Sequence, residues 1–579
     1  MKRSPDIDES LESMTMLSRW LKVILLPLAV LTLVACGPGG PGDYDVIIRG
    51  GDVYDGSGND PIVADVALAG DRIKRIGDLS GFSGTVEIDA EGLAVAPGFI
   101  NMLSWANETL IEDGRAMSDV MQGVTMEVMG EGTSMGPLSE TMKARMRERQ
   151  GDIQYEIEWT TLGEYLEHLE NRGVSVNVAS YVGATTLRVH EIGYDDRPAT
   201  PDELARMQDL VSQAMREGAM GVGSSLIYAP GNFASTEELI ALVSIAAEYD
   251  GSYISHLRSE GSRLEEGVQE LIKIASVTGA PSEVYHLKAS GRNNWHKLST
   301  VFDMIEAARE AGLFITADMY TYTAGSTGLN ATMPLWVQDG GHNAWVERLQ
   351  DPAIRERVAA EMREPTREWE NFFVDAGPEN ILLIGFRNPN LRHLIGKTLQ
   401  EVADERGTDP AMTAMDLVVE DDSRVDAVYF LMSEENVKRK VAIPWMSFGS
   451  DAGAPSAEGI FLESSRHPRT YGNFARLLGK YVREERVIPL QQAIRRMTSL
   501  PASNIGTFQR GELREGYYAD VVVFDPDRIT DNATFEEPHQ YATGMYHVFV
   551  NGAQVLRHGR HTGATPGRVV RGPGWDGWL

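Results

Sequence analysis

Apolar positions between residues 201 and 318 recur with two alternating periods. Pro201 to Glu217 sets Leu204, Met207, Leu210, Val211 and Met215 at helical spacing and stops at Gly218. Ser235-Thr236-Glu237-Glu238 reads as a capping box opening a helix over Leu239 to Tyr249. Short apolar runs at 252–256, 282–287 and 313–318 predict strands, and the segments 262–278 and 297–310 between them predict helices. Strands separated by helices of this length require right-handed crossovers and build a parallel sheet. Repeated over roughly 400 residues, the pattern predicts a closed α/β barrel.

The two ends of the chain follow a different rhythm. Asp45 to Gly51, Asp65 to Leu68 and Arg72 to Ile76 predict strands, and a similar block returns at Ala519 to Phe524 and Val548 to Gly552. The expected organisation is one β-domain assembled from residues 44–96 and 506–579 around a barrel over 97–505. Insertions at about 330–425 are suited to act as lids.

Composition narrows the partners. The chain has 579 residues and a net charge of −31. Such an acidic surface repels phosphate backbones and anionic headgroups, which argues against nucleic acid and against electrostatic docking on lipid. The single cysteine, Cys36, excludes an internal disulfide and a Cys-rich zinc site. It follows the apolar run Val23 to Ala35, which is preceded by Arg19 and Lys22 and is of secretory-signal length. Leu33-Val34-Ala35-Cys36-Gly37 resembles a bacterial lipoprotein lipobox, which would make residues 1–36 a signal peptide ending in a lipidated Cys36. Residues 37–43 then form a flexible tether. The expected location is a bacterial membrane surface, lipid-anchored and facing the periplasm. An ordinary cleaved signal is the alternative.

Candidate chemistry sits at strand ends. His256 closes Tyr253-Ile254-Ser255-His256 and His286 lies in Val284-Tyr285-His286-Leu287-Lys288, one strand–helix unit later. Asp451 lies in Ser447-Phe448-Gly449-Ser450-Asp451. Strand-end residues converge at the C-terminal mouth of a parallel barrel. Two imidazoles with a carboxylate can hold Zn²⁺ and activate water, with Asp451 moving the proton. Asp451 as a turn cap is the competing role. Arg258 and Lys288, each two residues beyond a histidine, are candidates to bind a substrate carboxylate or to form a salt bridge at the barrel mouth.

Several stretches together resemble the amidohydrolase superfamily, within it the N-acyl-D-amino-acid deacylase (D-aminoacylase) branch. They are Ala96-Pro97-Gly98-Phe99-Ile100, Ser255-His256-Leu257-Arg258-Ser259-Glu260-Gly261, Tyr320-Thr321-Tyr322-Thr323-Ala324, Gly449-Ser450-Asp451, and Arg514 to Val522. The resemblance implies a (β/α)8 TIM-type barrel with a small β-sandwich domain, and zinc-dependent hydrolysis of the amide of N-acyl amino acids, D-residues included. It makes Tyr322, Ser326 and Lys288 candidates for binding substrate. Relatives carry His-x-His after the Gly-Phe-Ile stretch; here Leu103 and Trp105 occupy those places. The family's loop cysteine is replaced by Gly130-Glu131-Gly132, which makes Glu131 a candidate third ligand. One metal position is therefore expected to be lost, leaving one zinc per chain. Two alternatives stand beside this reading: a repurposed, non-catalytic barrel, and a serine hydrolase using Ser134 in Gly132-Thr133-Ser134-Met135-Gly136.

Overall fold

The computed structural model describes residues 41–578, so the leader and Cys36 lie outside the described residues. Eight parallel strands form the barrel: β1 (Phe99–Asn101), β2 (Val124–Met129), β3 (Asn177–Ser180, continued by Val182–Gly183), β4 (Gly221–Ser225), β5 (Ser252–His256), β6 (Ser282–Val284), β7 (Ile315–Met319) and β8 (Met446–Phe448). Ser225 pairs with His256 across β4 and β5, Ser255 with Val284 across β5 and β6, and Met319 with Phe448 across β7 and β8. The ring closes between β8 and β1, where Met102 N donates to Phe448 O at 3.3 Å and Asp451 N to Leu103 O at 2.9 Å.

Helices Pro201–Arg216, Thr236–Ala247, Leu264–Thr278 and Leu298–Glu310 cover the outside, each burying one apolar stripe on the strands. The expected capping box at Ser235 is half formed. Ser235 Oγ accepts from Glu238 N at 3.1 Å, but the Glu238 carboxylate takes both its bonds from buried Arg188, at 2.8 and 3.0 Å. A buried guanidinium without an acid costs more than an unfinished cap, so the ion pair prevails.

The strand expected over 282–287 stops at Val284. His286 takes φ of +34° and its N–H turns to Asp318 Oδ1 at 3.0 Å. Strand alternation is lost there.

A nine-stranded sheet joins strands from both ends of the chain: Val521–Phe524 pairs with Ala94–Pro97, which pairs in turn with the N-terminal strands. The insertion between β7 and β8 builds its own core from Leu329, Met333, Trp345, Leu383, Met415 and Tyr429, around a small antiparallel sheet of Gly325–Gly328, Ile381–Gly385 and Asp426–Tyr429. It roofs the barrel mouth. Among the described residues no helix is long and apolar enough to cross a membrane.

Candidate metal centre and active site

Glu131 follows β2, His256 ends β5, His286 follows β6 and Asp451 follows β8, so all four open onto the C-terminal mouth. The loop bearing Glu131 is fixed by its neighbours. Gly130 and Gly132 have φ of +107° and +66°, and a Cβ on either would come within 2.4 Å of Tyr181 O or 2.5 Å of Ser225 Cβ. Only glycine lets the loop turn this tightly against β3 and β4 and present the acid inward. His286 and Asp451 also hold left-handed backbone, at φ of +34° and +50°. Non-glycine residues rarely keep such strain unless tertiary structure imposes it, which is common at functional sites.

Glu131 Oε1 lies 2.9 Å from His256 Nδ1 and 3.1 Å from His286 Nε2. The two rings stand nearly perpendicular, with centroids 4.4 Å apart. One ligand atom from each of the three residues lies within 4.8 Å of the others, and all three side chains are buried.

Glu260 backs the pair from behind. Its Oε1 is 3.1 Å from His286 Nδ1 and 2.6 Å from Lys288 Nζ, and its Oε2 is 3.5 Å from His256 Nε2. Burial works to raise the Glu260 carboxyl, but Lys288 and the two imidazoles outweigh it and hold the group well below the usual carboxylate range. Glu131 is likewise held low against its burial by His286 and His256. Burial and Lys288 push His286 down, yet Glu260 and Glu131 prevail and raise it to about 10.

Asp451 is held by two donors. Trp105 Nε1 donates to Asp451 Oδ1 at 3.1 Å and to Glu131 Oε2 at 3.0 Å. Arg469 Nη1 pairs with Asp451 Oδ2 at 2.9 Å. Burial raises the Asp451 carboxyl above its ordinary value, with Arg469 opposing. A carboxyl at this place can take and return a proton.

These groups line a cavity of about 560 Å³ with Tyr228, Tyr320 and Ser326. That volume is ordinary for a small-molecule site.

Sequence reasoning placed some side chains and misplaced others. His256, His286, Glu131 and Asp451 come together, and Ser326 and Lys288 line the cavity. The Lys288 ammonium is committed to Glu260, at 2.6 Å, and lies 2.7 Å from His286 Nδ1, so it positions the imidazole through that carboxylate. Arg258 is a correction. It binds Glu270 through Nε and Nη2, both at 2.9 Å, and the carbonyls of Asn232 and Ala234, both at 2.8 Å. It turns away because the strand ends at His256, and alternation no longer sets the direction of residue 258. Tyr322 is a second correction. It lies outside the cavity lining, with its hydroxyl 3.4 Å from Pro468 O and from Asp531 Oδ2, while Tyr320 faces the cavity with a hydroxyl that has no partner.

Ser134 is no nucleophile. Its Oγ donates to Gly136 O at 2.6 Å and accepts from Gly183 N at 2.9 Å, locking a loop. Glu260 and Arg469 were missed as site residues. Glu260 stands four residues after His256 and Arg469 eighteen after Asp451, and a sequence gives no sign of which side chain turns into the mouth.

Two imidazoles and one carboxylate with converging donors are a zinc-type set that leaves room for water and substrate. Nε2 of buried His256 has no hydrogen-bond partner. Glu131 is buried between the two rings, and its charge needs a positive partner there, which a protonated imidazole or a metal ion can supply. The residues fit one divalent ion.

The amidohydrolase family profile matches residues 86–556. The chain is 33% identical over 531 residues to a D-aminoacylase of Alcaligenes xylosoxydans xylosoxydans, covering 91% of this chain and 97% of that protein. A D-aminoacylase structure described in terms of its binuclear metal centre, with one-metal activation and second-metal attenuation, superposes with a TM-score of 0.75 at 32% identity, covering 91% of this chain and all of that one. The N-acyl-D-glutamate deacylase of Bordetella bronchiseptica, solved with zinc and a phosphonate mimic of the tetrahedral intermediate, gives a TM-score of 0.75 at 31% identity over 91% of this chain and 99% of that chain. With this family match, the eight-stranded barrel and the buried imidazole pair at its mouth, the chain belongs to the amidohydrolase family, in the branch of the D-aminoacylases, and is a hydrolase of carbon–nitrogen bonds.

Proposed function

We propose that this enzyme hydrolyses the amide of N-acyl amino acids, D-amino acids among them, with one zinc ion held by Glu131, His256 and His286. The observation that carries the reading is the convergence of those three donors with Asp451 in one cavity. The activities named for the similar proteins support the substrate class. Bound there, zinc lowers the pKa of water and polarises a carbonyl.

The chain's own residues supply the proton path. Asp451 accepts a proton from the attacking water as the C–O bond forms. It then returns the proton to the nitrogen as the C–N bond breaks, releasing a carboxylic acid and a free amine. Glu260, itself held by Lys288, accepts from His286 Nδ1–H and fixes the orientation of that ring. Tyr320 and Ser326 contact substrate from the cavity wall. With Arg258 and Lys288 engaged elsewhere, Arg466 is our candidate for the substrate carboxylate: it lines the cavity, and its buried Nε has no acceptor among the described residues.

Elemental analysis of the purified protein, with hydrolysis of N-acetyl-D- and N-acetyl-L-amino acids, tests the reading. One zinc per chain and release of free amino acid are expected. His256→Ala and His286→Ala should each lose the ion and at least about a thousandfold in kcat/KM. A metal-free wild-type protein that stays inactive after zinc is added would sink the reading.

We also propose that Cys36 anchors the enzyme to a membrane by lipid. Mass spectrometry of the mature N-terminus should find an acylated Cys36, and an unmodified one would refute the anchor.

A further inference from the structure

The β1 side of the mouth carries a feature that the hydrolase reading leaves unused. Glu131 Oε2 and Asp451 Oδ1 both accept from one N–H, that of the Trp105 indole, at 3.0 and 3.1 Å. The other Asp451 oxygen takes the Arg469 guanidinium at 2.9 Å. Two carboxylates facing one point make a natural bridge for a cation. Here that point is filled by the positive end of an N–H dipole, and the charge is supplied by an arginine whose side chain is 5% exposed. Leu103, fully buried beside Gly449, offers no donor. Arg469 is itself fixed: its backbone N donates to His467 Nδ1 at 3.0 Å, and its guanidinium lies 4.6 Å from the Tyr320 ring centre.

We propose that Trp105 and Arg469 together stand in for a second cation, so that the site closes at one ion per chain and Asp451 is aimed by side chains alone. The inference rests on the metal-hydrolase reading and assigns Trp105 as a positioning residue. An N–H donor cannot share its place with a metal ion, because both present positive charge to the same lone pairs. The buried ion pair with Arg469 also holds the Asp451 carboxylate in place without exchanging with solvent metal.

The test is a zinc titration of the metal-free protein, read by elemental analysis after desalting, for the wild type, Trp105→His and Trp105→Phe. The wild type should saturate at one equivalent, and excess zinc should leave kcat unchanged. Trp105→His exchanges the donor for an imidazole acceptor and should take up a second equivalent. Trp105→Phe keeps the ring without the N–H. It should retain one ion, lose about ten- to a hundredfold in kcat and change KM by less than about threefold. A wild type holding two ions, a Trp105→His protein that stays at one, or a Trp105→Phe protein with wild-type kcat would each overturn the proposal. Trp105 is 39% exposed, so both variants should fold. The ion counts need no substrate, so a wild type that binds one ion yet cleaves no N-acyl amino acid would overturn the hydrolase reading and leave the stand-in assignment standing.

Discussion

The two sides of the barrel mouth solve the same electrostatic problem by different means. On the β5–β6 side, Glu131 lies within hydrogen-bonding distance of His256 and His286, and Glu260 within that distance of His286 and Lys288, with His256 Nε2 3.5 Å from Glu260. Their donors converge on one point, where a metal ion can take the place of an imidazole proton. On the β1 side, Leu103 is apolar, Trp105 donates one N–H, and Arg469 supplies a permanent charge to Asp451. One side is built to receive an ion, and the other carries its cation in the sequence. A buried carboxylate needs a positive partner, but nothing requires that partner to be a metal.

That contrast can be broken at single residues. The largest effect is expected at Asp451, where the two sides meet. Asp451→Asn keeps the shape and the Trp105 bond but removes proton transfer. It should lower kcat by about a hundred- to ten-thousandfold while the bound zinc remains, as read by steady-state kinetics beside elemental analysis. Loss of the ion in this variant would place Asp451 among the ligands and erase the distinction between the sides.

Glu260→Gln probes the support behind the imidazoles. It should weaken zinc affinity by about ten- to a hundredfold in a competition with a chelator, because both rings lose the carboxylate that orients them.

Arg258→Ala tests the corrected assignment. Its partners are Glu270 and two carbonyls, all away from the cavity. It should cost about 1–3 kcal/mol of stability in denaturant unfolding and leave KM as in the wild type. A large rise in KM would return Arg258 to substrate binding.

The smallest effect concerns pH. Glu370 is buried against Ser259 and Glu260 N, and burial, with Glu260 and Asp375 nearby, raises its carboxyl to about 7. Between its ordinary value of 4.5 and 7 the folded protein keeps a proton that the unfolded chain releases. The stability tied to that proton is present at low pH and is lost as pH rises through about 7. Glu370→Gln should therefore raise Tm relative to wild type at pH 8, by a few degrees, and by less at pH 5. An equal difference at both values would show that the carboxyl titrates normally.

Much of the frame was legible from pattern. Alternating strand and helix periods predicted the barrel, and strands 252–256 and 313–318 fall within a residue or two of β5 and β7. The two histidines and Asp451 were legible because a strand-end position in a parallel barrel already implies the mouth. Glu131 was legible through the resemblance, from its place in the loop where relatives carry a cysteine. Arg258 turns away because β5 ends at His256, so its place two residues beyond a histidine does not set its direction, and Tyr322 is outside because Tyr320, two residues earlier, is the one turned inward.

The sequence by itself determined which elements form, which strand ends carry imidazole and carboxylate, and that a histidine pair is missing near residue 103. Local periodicity and residue chemistry act over a few residues, and a chain records them directly. Only the tertiary structure decided how those groups are paired. Glu260 turned to back the imidazoles, Arg469 reached Asp451 from the start of the helix Arg469–Arg476, and Trp105 was seated between two carboxylates 26 and 346 residues away in the chain. Those choices follow from Coulomb attraction and desolvation among groups that meet only once the barrel closes, and charge balance in a dry site is a property of the whole neighbourhood.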